Sequence, residues 1–117
     1  MAKQAKTKRP IVRPKATAPP QIVINQATLD PNGNVAVQGV VLGGTIVVTT
    51  DLSCAVYQMP NTANPVLLTN GANQGNPPPN WSFAFNNTGL SAPVNLLAMV
   101  YQTSNPAISG QAPVNDL

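Results

Sequence analysis

From Gln21 onward, apolar and polar residues alternate in short runs, the period of half-buried β-strands. Gln21–Thr28 (QIVINQAT) is rich in β-formers and predicts a first strand. Leu29-Asp30-Pro31-Asn32-Gly33-Asn34 reads as a tight reversal, with Pro31 suited to the second position of a type I turn and Gly33 free to take positive φ. Asn34–Val41 (NVAVQGVV) follows as the partner strand, and Gly43-Gly44 breaks the chain before a strand at Thr45–Thr50. In Leu52–Met59 the alternation places Leu52, Cys54, Val56 and Gln58 on one face. A short strand is expected at Val66–Thr69, and Asn70–Asn80 (NGANQGNPPPN) lacks any period and predicts a long loop. Trp81–Asn86 (WSFAFN) puts Trp81, Phe83 and Phe85 on one face, which reads as a core stripe. Val94–Tyr101 (VNLLAMVY) is the most apolar strand, and Ser104–Leu117 reads as a polar, proline-bearing tail. No amphipathic helix is predicted. Short strands every eight to twelve residues with turn signals between them point to an all-β sandwich.

The first twenty residues follow a different rule. They are basic and proline-spaced, with Pro10, Pro14, Pro19 and Pro20, and Ile11 and Val12 are their only large apolar residues apart from Met1. Proline favours extended, polyproline-like backbone, so about fifteen such residues reach roughly 45 Å. The expected organisation is an arm over residues 1–20 and one β-sandwich domain over 21–117.

Charge sharpens this division. All six basic residues, Lys3, Lys6, Lys8, Arg9, Arg13 and Lys15, lie in the arm, whereas the rest of the 117 residues carry only Asp30, Asp51 and Asp116. A +6 arm joined to a −3 body is the pattern of an interaction tail. Charged residues make up 8% of the chain, about a third of the usual share, so solubility rests on Asn, Gln and Thr. Such a weakly repulsive surface suits a crowded array of identical copies.

The inventory for catalysis is nearly empty. Without His or Glu the usual acid–base groups near neutral pH are missing, and a Ser-His-Asp or Cys-His arrangement is impossible. One Cys and no His also fail to make a transition-metal site. Asp30-Pro31-Asn32-Gly33-Asn34 starts like a calcium loop, but Val35 stands where that loop needs Gly and Val41 where it needs Glu, so it reads as a turn. Cys54 stands alone and is expected to be a buried, inert thiol. Asn80-Trp81-Ser82 and Asn86-Asn87-Thr88 match glycosylation sequons, as chance allows in an Asn- and Thr-rich chain. No enzyme, cofactor or metal is expected. The basic start is not followed by an apolar stretch of the secretory kind, and no apolar run is long enough to span a membrane, so neither export nor membrane contact is expected.

The segment from Val35 to Tyr101 resembles bacterial and bacteriophage immunoglobulin-like domains. The resemblance lies in Val35-x-Val37-x-Gly39, the Gly-Gly-Thr-x-Val-Val run at Gly43–Val48 and Trp-Ser-Phe-x-Phe at Trp81–Phe85. The paired cysteines of antibody domains are missing, which places the likeness in the wider group of sandwiches. It implies an immunoglobulin-like antiparallel β-sandwich, here with an extended N-terminal arm, that works by presentation and adhesion rather than chemistry. The implied role is a virion accessory protein, such as a bacteriophage capsid decoration or cement protein, assembled in the host cytoplasm and present in many symmetric copies. Its expected partner-binding residues are Lys3, Lys6, Lys8, Arg9, Ile11, Val12, Arg13 and Lys15, set against the major capsid protein or other virion subunits. A tail, fibre or cell-surface adhesion module is one alternative. A structural protein whose arm contacts nucleic acid is another.

Overall fold

The structure is a computed structural model that describes residues 20–43, 50–71 and 79–117, and these contain strands and turns but no helix. Its strands run in the order β1 (Gln21–Leu29), β2 (Val35–Leu42), β3 (Leu52–Gln58), β4 (Leu67–Asn70), β5 (Asn80–Phe85), β6 (Leu96–Gln102), β7 (Asn105–Pro113) and β8 (Asn115–Asp116). Two four-stranded sheets result, one in the order β5-β2-β1-β8 and the other β4-β3-β6-β7. Every pairing is antiparallel except that of β1 with β8.

The sheets face each other across one core, in a sandwich-like all-β architecture. Period-two alternation supplies the inner faces: Val35, Val37 and Val41 from β2, Leu52, Cys54 and Val56 from β3, and Leu96, Ala98 and Val100 from β6. Trp81 and Phe83 complete this core, with ring centroids 5.6 Å apart and planes tilted by 56°. Their burial is that of a core stripe. Each fully buried large side chain contributes about 1.5–3 kcal/mol, and the tilted ring pair adds about 0.5–1.5 kcal/mol.

Strand β1 binds the two sheets together. Ile24 pairs with Gly39 and Gln26 with Gln38, leaving Asn25 as the extra residue of a bulge. Opposite that bulge a Cβ on Gly39 would lie 1.9 Å from the Val23 carbonyl oxygen and 2.6 Å from Cζ2 of Trp81. The indole ring therefore closes over a position where only hydrogen fits. A similar approach joins the sheets, where a Cβ on Gly110 of β7 would stand 2.2 Å from the Ile22 carbonyl oxygen.

The predicted turn at residues 29–34 is present. The Gly33 amide donates to the Asp30 carbonyl at 3.1 Å, and Gly33 takes φ +82°. The Gly33 carbonyl then accepts from the Thr88 amide and hydroxyl, at 3.0 and 2.6 Å. This pins the β1–β2 hairpin to the chain leaving β5.

Several sequence expectations need correction. Residues 104–117 are not an irregular tail: β7 completes one sheet and β8 the other. Polarity and proline disguised them because β7 is an edge strand, where both are tolerated. Gln58 shares the face of Leu52, Cys54 and Val56, paired with Leu96, but is exposed at the strand end. Phe85 is only partly buried. The apolar strand starts at Leu96 rather than Val94, and the short strand covers Leu67–Asn70. The strand expected at Thr45–Thr50 lies outside the described residues except for Thr50, which is a turn residue. The middle of the Asn70–Asn80 loop, residues 72–78, and arm residues 1–19 are outside them as well.

The glycine contacts make a graded prediction for chemical denaturation. Gly39→Ala and Gly110→Ala, which each force a Cβ against backbone, should destabilise by about 3 kcal/mol or more. Gly89→Ala meets no atom within 4 Å but keeps φ +80°, and should cost only about 1–2 kcal/mol.

Candidate docking surface

The two outer faces of the sandwich differ in chemistry. On the β5-β2-β1 side, Gln26 and Gln38 pair through their amides at 3.1 Å, flanked by Thr28, Ala36, Ser82 and Ala84. This is the small and polar face usual for an antiparallel sheet in water. The outer face of β4-β3-β6-β7 is instead apolar.

Register lays that face out in rows. Leu68, Ala55, Met99 and Gln111 form one row across the four strands, and Tyr57, Leu97 and Pro113 form the next. Asn70, Ser53, Tyr101 and Ser109 make the third. Leu68 is 55% exposed, Tyr57, Leu97, Met99 and Tyr101 are half-buried, and Ala55 is buried between them. No residue of the three rows carries a charge at neutral pH. Large apolar side chains grouped on an uncharged face are a usual mark of an interaction site, and tyrosine and methionine are enriched in such interfaces.

A polar cluster frames one end of the face. The buried Ser53 hydroxyl donates to Oδ1 of Asn70 at 2.9 Å and lies 2.7 Å from the Thr103 hydroxyl. Beside it, Asp51 accepts from Nε2 of Gln102 at 2.7 Å and from the Ser104 hydroxyl and amide, each at 2.9 Å. Asp51 thereby ties the start of β3 to the β6–β7 turn. Hydrogen bonds from Gln102 and then Ser104 hold its carboxyl below the ordinary value of 3.8.

The other carboxylates are also engaged with backbone. Asp30 accepts from the Asn32 and Asn34 amides at 2.8 and 2.9 Å, and the Asn34 amide leads the groups that lower its pKa. Asp116 accepts from the Val94 amide at 3.4 Å. Among the described residues no group of three or more His, Cys, Asp or Glu side chains could hold a metal ion. Burial pushes the Cys54 thiol up to about 12, leaving it protonated and unreactive. The Trp81 indole N–H is buried with no acceptor among the described residues, beside a 210 Å³ depression lined by Asn25, Gln38, Gly39 and Asn80.

The residues expected to bind a partner, Lys3, Lys6, Lys8, Arg9, Ile11, Val12, Arg13 and Lys15, all lie outside the described residues. Sequence reasoning missed the outer face. The available signal was Leu96–Tyr101 (LLAMVY), whose apolar residues occupy both faces of the strand rather than alternating. Comparison of the chain with family models, curated proteins and solved structures finds no match.

Two outcomes follow for folding and surface. Leu68→Gln should change the unfolding free energy by no more than about 0.5 kcal/mol, because the side chain is half in water. Leu96→Ala, on the inner face of the same sheet, should cost about 2–5 kcal/mol in the same denaturant titration. Because the folded-state pKa of Asp51 is depressed, its contribution is present above its ordinary value of 3.8 and is lost as pH falls through the lower folded-state value. Thermal unfolding should be flat from neutrality to about pH 5 and decline below about pH 4, and Asp51→Asn should shrink that decline.

Proposed function

We propose that this chain is a structural module of a multi-copy assembly. It docks through the apolar outer face of the β4-β3-β6-β7 sheet and is held by its cationic N-terminal segment. The observation that carries this reading is that uncharged face, with Leu68, Met99, Tyr57 and Tyr101 displayed on a body that has no cation of its own.

An immunoglobulin-like reading of the sandwich is supported by strand order. The first, second and fifth strands share one sheet, and the third, sixth and seventh share the other, as the A, B, E and C, F, G strands of that fold do. Strand β4 lies beside β3, a placement found on the C-strand side of such domains. Fold alone does not assign a role, so the surface and the charge division carry the argument.

Among assemblies, a virion fits best, with the chain as a capsid decoration protein set on capsid subunits. Six cations concentrated in fifteen residues suit a multi-point anchor in acidic grooves, and a body whose only charged residues are Asp30, Asp51 and Asp116 suits close packing of copies. Each exposed pair contributes about 1 kcal/mol or less, so the anchor depends on their number and on salt. The reading includes no catalysis, cofactor or membrane contact.

Co-sedimentation with purified particles lacking the protein, and separately with bare DNA, tests this across a salt series. Full-length protein should bind particles saturably. Replacing all six basic residues by Gln, or Leu68 by Glu, should weaken binding about tenfold or more. Binding to DNA alone, with log K falling by about 0.9 per phosphate neutralised, would overturn it in favour of a nucleic-acid role. Binding to neither, with adhesion to intact cells instead, would favour a tail or surface module.

A further inference from the structure

We propose that the groove between β1 and β7 receives the Ile11-Val12 segment of a second copy of this chain, laid as an added strand along β7. The groove is lined by Pro20, Gln21, Ile22 and Val23 on one side and Ala107, Ile108 and Ser109 on the other. At about 450 Å³ it has room for an aliphatic side chain.

Both walls present unpaired backbone. Among the described residues, strand β7 ends its sheet and is bonded only to β6. Strand β1 is bonded to β2 along its length, but β8 reaches only Thr28 and Leu29 on its other side. The walls meet where Gly110 abuts the Ile22 carbonyl; on β7 the lining residues precede that contact, and on β1 they run from Pro20 to Val23 around it. Natural edge strands are protected by charge, proline or a covering segment. Pro106 and Pro113 protect the ends of β7, but from Ala107 to Ala112 it carries neither charge nor proline, and a covering segment would protect that stretch. An extended peptide added there gains main-chain hydrogen bonds and places alternate side chains in the groove.

The chain itself supplies that peptide. Nineteen residues precede Pro20, which is itself a lining residue, and Ile11-Val12 is their one pair of adjacent large apolar side chains. Between Val12 and Pro20 lie seven residues, which extend about 22 Å when proline-rich. To fill its own groove the chain would have to reverse within these seven, against the extended preference of Pro14 and Pro19. A neighbouring copy is reached without reversal.

Charge agrees with this placement. Strand β1 runs parallel to β8, so Pro20 and the β6–β7 turn lie at the same end of the sandwich. Asp51, at the start of β3, is held against that turn by Gln102 and Ser104. Arg9 and Arg13 flank the apolar pair and bring cations to this carboxylate, while Lys3, Lys6 and Lys8 remain free for a further partner.

Disulfide trapping in the full-length chain tests the exchange. Ser109 is exposed, and of two adjacent arm residues one must share its face. Protein carrying Ile11→Cys or Val12→Cys is mixed with protein carrying Ser109→Cys and oxidised. Buried Cys54, with its raised pKa, stays out of the reaction. A mixed covalent dimer well above the background of each variant alone is expected from at least one mixture. The Ser109→Lys substitution in chains otherwise unchanged should weaken dimerisation in sedimentation equilibrium about tenfold, and Ser109→Glu should strengthen it. An intramolecular link formed only when both cysteines are in one chain would overturn the second copy as occupant. No link in either format would overturn the groove as the arm's site. Particle binding, measured separately, is unaffected by either failure.

Discussion

Strand β1 can serve both sheets because two of its carbonyl groups meet glycines. The Val23 oxygen occupies the space where a side chain on Gly39 would stand, and the Ile22 oxygen does the same at Gly110. At Gly39 the missing side chain admits the bulge at Asn25 and lets Trp81 close over the strand pair. At Gly110 it brings the last long strand against the first. The shared core, the closure by β8 and the groove that opens toward Pro20 all follow from these two approaches. Backbone meeting backbone cannot be relieved by a rotamer change, which makes these points rigid.

The sandwich built around this strand devotes its polar chemistry to holding itself together. Asp30 shapes the first hairpin, Asp51 binds β3 to the β6–β7 turn, and Asp116 contacts the backbone at Val94. The only cysteine is buried. In the proposed role, what the body offers a partner is shape and apolar surface, on the outer face of β4-β3-β6-β7 and along the edge of β7. The cations are all on the N-terminal segment. In the proposed docking, attraction over distance and contact at close range thus belong to different parts of one chain. A protein of this kind can be steered by charge and then seated on a dry surface without burying an unpaired ion.

Much of the fold was legible along the chain. The turn at Asp30–Gly33, the inner faces of β2 and β3 and the core position of Trp81 and Phe83 follow from period-two patterning and turn chemistry. These are local signals, because a buried face repeats every second residue and a reversal needs proline and glycine at particular places. Strand β7 was not legible. Asn105–Pro113 has two prolines and few apolar residues, and it becomes a strand because β6 offers a free edge to pair with. Its alternation is shallow because one side of it faces water.

By itself the sequence determined the all-β class, the positions of the first turn and of the inner faces, and the separation of a cationic segment from an anionic body. Composition and period depend only on neighbours along the chain. The tertiary structure decided that Gly39 and Gly110 are crossing points, that residues 105–116 complete both sheets, and that Leu68, Met99 and Tyr57 share one outer face. These facts depend on which strands lie side by side. Strand pairing joins residues dozens of positions apart, and its register is settled by the packing of the whole core rather than by any local pattern.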